Sequence, residues 1–252
     1  MDKKSILGIQ VTGTNYEICT KAIVSWAEEL SVRNIYAANA HMLVEAYDSP
    51  EFRDIVNSAD IVTPDGMPLV WALRLKGFPD QERVYGPTLM LKVLEEASKE
   101  QIPVGFYGAK PDVLESLVER MKGRFPDLPV VYSYSPPFQE MTAEEDAEVC
   151  SIIQGSGVRI LFVGLGCPKQ ERWIADHFGK INTVMIGVGA AFDFHSGTIR
   201  QAPSWIQKMG LEWFFRMTQE PNRLWKRYLF TNPRFMFLLI RELMMEKMGY
   251  IR

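Results

Sequence analysis

Residues 59–90 read ADIVTPDGMPLVWALRLKGFPDQERVYGPTLM. A short β-branched run stops at Thr63-Pro64-Asp65-Gly66, and a stretch of helical period follows at once. That is one strand feeding one helix. The same alternation recurs along most of the chain. Candidate strands are SILGIQV (5–11), NIYAAN (34–39), DIVTP (60–64), PVGFYG (103–108), PVVYSY (129–134), RILFVGLG (159–166) and NTVMIGVGAAF (182–192). Candidate helices fall near 15–31, 41–57, 66–76, 87–100, 111–124, 142–155 and 168–178. Such βαβα order predicts an α/β fold with a Rossmann-like, mainly parallel sheet covered by helices on both faces.

Ligands of these sheets bind beyond the carboxyl ends of the strands. Asp65 would lie just past the end of DIVTP, Asn39 past NIYAA, and Gly108 and Lys110 past VGFY. Gly164 to Gln170 would follow RILFV, and Asp193 would follow GVGAAF. One polar group at a strand end means little; five converging there make a site.

The Thr-Pro-Asp-Gly turn has two readings. Asp caps helices well and Gly tolerates positive φ, so a structural cap is one. The other is a catalytic base, since Arg83 follows closely and the two could act as base and anion clamp. The loop VGLGCPKQERW (163–173) carries Gly164, Gly166 and Lys169 before a helix start, which suits a phosphate or an ordinary βα turn. It matches neither a Walker loop nor G-x-G-x-x-G. His41, His177 and His195 show no metal-ligand spacing, no D-x-D pair is present, and no G-x-S-x-G elbow offers a serine nucleophile. No metal or other cofactor is expected.

From about residue 203 strand signals vanish, and the chain reads as helices broken near Pro221 and Pro233. The expected organisation is therefore an α/β body, 1–202, and a C-terminal helical appendage, 203–252. Residues 201–252 carry nine Lys/Arg against four Glu, net +5, while the remainder is net −8. A basic tail on an acidic body points to an anionic partner, either phospholipid or nucleic acid. Its longest apolar run, Phe235 to Ile240, is far shorter than the roughly 20 residues a span requires. The start MDKKSILGIQVTG lacks a signal-peptide h-region, which predicts a cytoplasmic chain. Cys19, Cys150 and Cys167 are widely spaced and read as ordinary buried thiols.

TPDGMPLVWALRLKG, ERVYGPTLM, FYGAKPDVLE, FVGLGCPKQERWI and GVGAAFDFHSGTIRQAPSWIQKMGLEWFFRMTQEPNRLWKRY together resemble the bacterial WecG/TagA/CpsF glycosyltransferases. The resemblance covers nearly the whole chain, in order. It implies inverting, metal-independent transfer of a sugar from a UDP donor to an undecaprenyl-diphosphate-linked acceptor. The place would be the inner face of the cell membrane, in teichoic acid or other surface-polysaccharide synthesis. Asp65 then falls on the family's general base, Arg83 on its active-site arginine and Gln170 on its active-site glutamine. Asn39 falls on a strand-end asparagine whose motif usually reads Thr-x-Asn; Ala37 here removes the hydroxyl. Gln201 stands where a basic residue is common. Gly108, Lys110, Gly164, Gly166, Lys169 and Asp193 would serve the nucleotide sugar. Arg216, Arg223, Lys226 and Arg227 would meet the lipid diphosphate and an anionic membrane surface rather than nucleic acid, and the resemblance admits a homo-oligomer.

Members of the family use N-acetylmannosamine, its uronic acid, glucose or glucuronic acid. Transfer of N-acetylmannosamine onto N-acetylglucosaminyl-diphospho-undecaprenol is the leading expectation. The rival classes are another nucleotide-using doubly wound enzyme, such as an epimerase or dehydrogenase, and a membrane- or nucleic-acid-binding module. Bound NAD would mark the first, and DNA binding without UDP binding the second.

Overall fold

The computed structural model describes residues 1–137, 139 and 141–249, with the side chains at 208 and 227 outside that description. Six strands form the central sheet: β3 (Arg33–Ala38), β4 (Ile61–Pro64), β5 (Val104–Gly108), β6 (Val130–Tyr134), β7 (Ile160–Gly164) and β8 (Val184–Gly187). Their spatial order is β4-β3-β8-β7-β5-β6, and every neighbouring pair is parallel.

A parallel sheet buried on both faces needs apolar residues at odd and even positions alike. Along β7, Ile160 and Phe162 enter one core cluster, and Leu161 and Val163 the other. Helices α1 (Tyr16–Glu28), α5 (Gly86–Lys99), α6 (Pro111–Arg124) and α9 (Ala191–Ser196) cover the first face. Helices α2 (Ala40–Asp48), α3 (Pro50–Asn57), α4 (Met67–Leu75), α7 (Ala143–Gly155) and α8 (Lys169–His177) cover the second.

Three elements depart from the sequence reading for local reasons. SILGIQV is not one strand but a hairpin, β1 (Lys3–Ile6) and β2 (Ile9–Thr12). Leu7 and Gly8 both have positive φ, 51° and 82°, the geometry of a two-residue turn whose twist matches the paired strands. The helix expected over 41–57 is two, because Ser49 leaves helical φ/ψ, caps α3 through its side chain and precedes Pro50. NTVMIGVGAAF is strand only to Gly187; Gly189 turns the chain with φ 59°, and Asp193 sits in α9.

The C-terminal part holds α10 (Ser204–Lys208), α11 (Glu212–Gln219) and α12 (Pro221–Lys247). Pro221 opens α12 as expected, but the break expected near Pro233 is absent and the helix runs through it. An internal proline costs a helix about 3 kcal/mol or more, so packing must offset it. Phe235, Leu238 and Leu239 are buried in the same core cluster as Leu43 and Val44 of α2. Arg234 grips Asp48 with two hydrogen bonds, at 2.5 and 2.6 Å, and Glu242 accepts from the Leu7 N–H at 2.6 Å. Lys76, only 6% exposed in its side chain, pairs with Glu242 at 2.8 Å and with Glu246. Tertiary contacts override local propensity here.

Candidate active site

A cleft of about 1880 Å³ runs between the carboxyl ends of the strands and the C-terminal helices. It exceeds the roughly 300–1,000 Å³ of a pocket for one small ligand. Asn39, Asp65, Arg83, Lys110, Gly164, Gly166, Lys169, Gln170, Asp193, Arg216 and Arg223 all line it. Residues far apart in sequence are thus brought to one surface.

Asp65 follows β4 directly, and its N–H donates to the Ala38 carbonyl at the end of β3, 2.9 Å away. The turn is thereby tied to the neighbouring strand. The N-cap of α4 is Gly66, with no side-chain cap bond, so the Asp65 carboxylate is not spent on capping that helix. It accepts instead from the Gly86 N–H at 3.0 Å and from Arg83 Nη2 at 3.3 Å. The Arg83 Nε donates to the Asp65 carbonyl oxygen. Gly86 makes room for this approach, since a Cβ there would lie a tight 3.3 Å from Asp65 Oδ2 and 3.1 Å from Ala37 Cβ.

Burial raises the Asp65 pKa to about 6, and the Glu212 carboxylate pushes the same way; Arg83 and the Gly86 N–H pull against them. Burial works against the Arg83 charge as well, but Asp65 and Glu212 together hold the guanidinium above its ordinary range. The pair is therefore a carboxylate of raised proton affinity beside a permanent cation.

Glu212, at the start of α11, is a residue that sequence reasoning missed. It accepts from Arg83 Nη2 at 2.7 Å through Oε2 and from the Tyr85 hydroxyl through Oε1. The Arg83 guanidinium carbon stands 4.0 Å over the Tyr85 ring. In sequence, an acidic residue in the first turn of a helix is a routine dipole match, which hides any other use.

On the β7–α8 loop, a Cβ at Gly164 would meet the Phe192 ring at 2.6 Å, and Gly166 turns with φ 79°. Gln170 is nearly fully buried: its Nε2 donates to Glu171 at 2.6 Å and its Oε1 accepts from the Gly189 N–H at 3.1 Å. It thus ties the start of α8 to the turn after β8. Burial lifts the Glu171 carboxyl to about 7. The Asn39 Oδ1 caps α2, accepting from His41 and Met42 N–H at 3.1 and 3.3 Å. Gly108 does not line the cleft; it packs against the β7 end, where a Cβ would meet the Gly164 oxygen at 2.6 Å. Cys19 and Cys150 are buried as expected, while Cys167 is half-buried and lines the cleft.

Across the cleft, Arg216 lies 5.3 Å from the Phe194 ring centroid, and its Nη2 is 3.5 Å from Glu220. Arg223 pairs with the same Glu220 at 2.7 Å and is largely exposed. Burial raises the Asp193 pKa, opposed first by Arg223 and also by Arg216 and Lys110. Lys226, exposed and 5.5 Å over the Trp225 ring, is not part of the cleft wall. The Arg227 side chain lies outside the described residues.

Among the described residues one group, Asp146, Cys150 and His177, brings ligand-type atoms within 4.8 Å of one another. None of the three lines the cleft. His177 contacts Asp146 at 2.9 Å and the Trp173 carbonyl at 2.6 Å.

A parallel α/β sheet covered by helices on both faces, with a large cleft at its strand ends, defines a protein of the doubly wound class. The family model described as "Glycosyl transferase WecG/TagA/CpsF family" matches residues 4–249, and the chain belongs to that family of glycosyltransferases. One relative, from Bacillus spizizenii (strain ATCC 23059 / NRRL B-14472 / W23), is 34% identical over 196 residues, covering 77% of this chain and 74% of its own length. Another, from Bacillus subtilis (strain 168), is 30% identical over 219 residues, covering 86% and 82%. Both are named N-acetylglucosaminyldiphosphoundecaprenol N-acetyl-beta-D-mannosaminyltransferase.

Proposed function

We propose that the protein transfers N-acetylmannosamine from a UDP donor to a polyprenyl-diphosphate-linked N-acetylglucosamine, by a single inverting displacement without a metal. The observation that carries this reading is Asp65: a carboxylate of raised proton affinity, held by backbone bonds at the strand ends, beside Arg83. The names of the two relatives support the choice of sugar and acceptor.

The acceptor hydroxyl oxygen attacks the anomeric carbon while Asp65 takes its proton. The bond from that carbon to the diphosphate oxygen breaks, and UDP departs with the electron pair. General base help of this kind is worth about 10²–10⁴-fold. Arg83, Arg216, Arg223 and the N–H groups at the start of α8 supply positive potential for the diphosphates. Asn39 and Gln170 hold the strand-end turns around the sugar; Gly164, Gly166, Lys110, Lys169 and Asp193 shape the donor half of the cleft. The cleft volume suits a donor and an acceptor headgroup together.

Among the described residues no helix is long and apolar enough to cross a membrane. Yet Trp205, Phe214, Phe230 and Phe237 are exposed at 61%, 52%, 68% and 66%, in the part of the chain that also carries Arg223 and Lys226. Apolar insertion with basic residues near anionic headgroups would hold the protein at the bilayer surface where its acceptor is embedded.

The test is transfer from a panel of UDP-sugars to N-acetylglucosaminyl-diphospho-polyprenol by purified protein in excess EDTA. Formation of the N-acetylmannosaminyl product, with UDP released, is expected. Absence of transfer from every UDP-sugar, or activity lost in EDTA and restored by Mg²⁺ or Mn²⁺, would contradict the proposal.

A further inference from the structure

We propose that Glu212 is a positioning residue for this reaction: by drawing the Arg83 guanidinium toward α11, it keeps that cation from closing on Asp65 and leaves the carboxylate able to take a proton. The inference rests on the reading of Asp65 as the base.

The geometry is a competition for one nitrogen. Arg83 Nη2 lies 2.7 Å from Glu212 Oε2 and 3.3 Å from Asp65 Oδ1, so the stronger bond goes to the carboxylate on the far wall. A charge-assisted N–H···O bond is normally about 2.7–2.9 Å, and the Asp65 contact falls outside that range. Tyr85 holds the other oxygen of Glu212, and the Arg83 guanidinium stacks over the Tyr85 ring. Glu212 is therefore held on both oxygens and cannot swing freely.

A base clamped by an arginine at full strength would be a weak one, because an adjacent cation favours the carboxylate over the acid. Glu212 offsets this twice. It loosens the arginine and adds a negative neighbour. The groups that face Asp65 are Tyr16 from α1, Arg83 and Tyr85 from the segment before α5, and Glu212 from α11, with Arg216 acting on Glu212 and Tyr85 from the next turn. Of these only Glu212 adds a second negative charge. Its place on α11 also means that the carboxylate is set correctly only when the C-terminal helices are docked.

The sign follows directly. Asp65 must be deprotonated to act, so the rate falls as pH falls through its pKa, near 6 in the intact site. In Glu212→Gln the negative neighbour is gone and Arg83 is free to close on Asp65. Both changes favour the charged form.

The experiment is the pH dependence of kcat/KM for transfer from UDP-N-acetylmannosamine to N-acetylglucosaminyl-diphospho-polyprenol, in the parent, Glu212→Gln, Glu212→Asp and Asp65→Asn proteins, each checked for melting temperature. Glu212→Gln is expected to move the acid limb down by about one pH unit and to lower the plateau about tenfold, as a weaker base should. Glu212→Asp, which keeps the charge, is expected to retain the parent limb. A limb that stays in place in Glu212→Gln while activity and melting temperature fall together shows a merely structural contact and overturns the proposal. A limb displaced equally by Gln and Asp overturns it as well. Asp65→Asn separates the two claims: if it stays active with the parent limb, the base reading itself has failed. If the limb disappears with Asp65 but ignores Glu212→Gln, only the present inference has.

Discussion

The two walls of the cleft are built in opposite ways. The sheet wall presents Asp65 and Asn39 immediately after strands and Gln170 from the start of α8, each tied by hydrogen bonds to backbone within the α/β body. The helical wall presents Glu212, Arg216 and Arg223 from α11 and α12, whose position depends on α12 packing against α2. On the proposed mechanism the difference separates two tasks. Proton transfer needs a group held to within a fraction of an ångström, which sheet-anchored turns supply. Binding two diphosphates would need positive charge around them, which Arg216 and Arg223 on the docked helices would supply.

Removing the helical wall altogether should have the largest effect. A chain ending after Pro203 loses Phe235, Leu238 and Leu239 from the core, together with Glu212, Arg216 and Arg223. It is expected to show no transfer, no liposome binding and a much lower melting temperature. Transfer to bilayer-embedded acceptor at the parent rate would break the comparison. Next comes Phe235→Ala, which empties a fully buried site on α12. Truncations of this kind cost about 3–5 kcal/mol, to be read from urea unfolding. A change below about 1 kcal/mol would show that α12 is only loosely docked.

Smaller effects should grade with position on that wall. Arg216→Ala removes a cation inside the cleft and is expected to raise KM about tenfold or more with modest change in kcat, the scale of a lost charged hydrogen bond. Lys226→Ala removes one outside it. That variant should keep its rate on a soluble short-chain acceptor within about twofold, while losing about 1 kcal/mol of binding to anionic vesicles. Equal effects of the two on soluble acceptor would erase the distinction drawn between cleft and surface.

The same division governs what could be read from the chain. Strand identity and order of elements were legible because each buried strand carries apolar residues on both faces, as Ile160 to Val163 do. The strand-end rule then placed Asp65, Asn39 and the 164–170 loop. Local signals misled where two short elements abut. Leu7-Gly8 lies inside a continuous apolar run, so nothing in its pattern separates a hairpin from a strand. Pro233 reads as a helix breaker, and only the burial of Phe235 and the anchoring of Arg234 on Asp48 show why α12 continues. Glu212 was invisible for a different reason: its partners, Arg83 and Tyr85, are about 130 residues away, and no periodicity links them.

The central claim is that Asp65 removes the acceptor proton. Asp65→Asn keeps an oxygen to accept from the Gly86 N–H and changes little in size, so the turn should survive. Single-turnover transfer by this variant, measured beside its melting temperature and its affinity for UDP, is the most direct test. The account predicts turnover lowered by about 10²-fold or more, with stability and UDP binding nearly unchanged. Turnover close to that of the parent protein would contradict it.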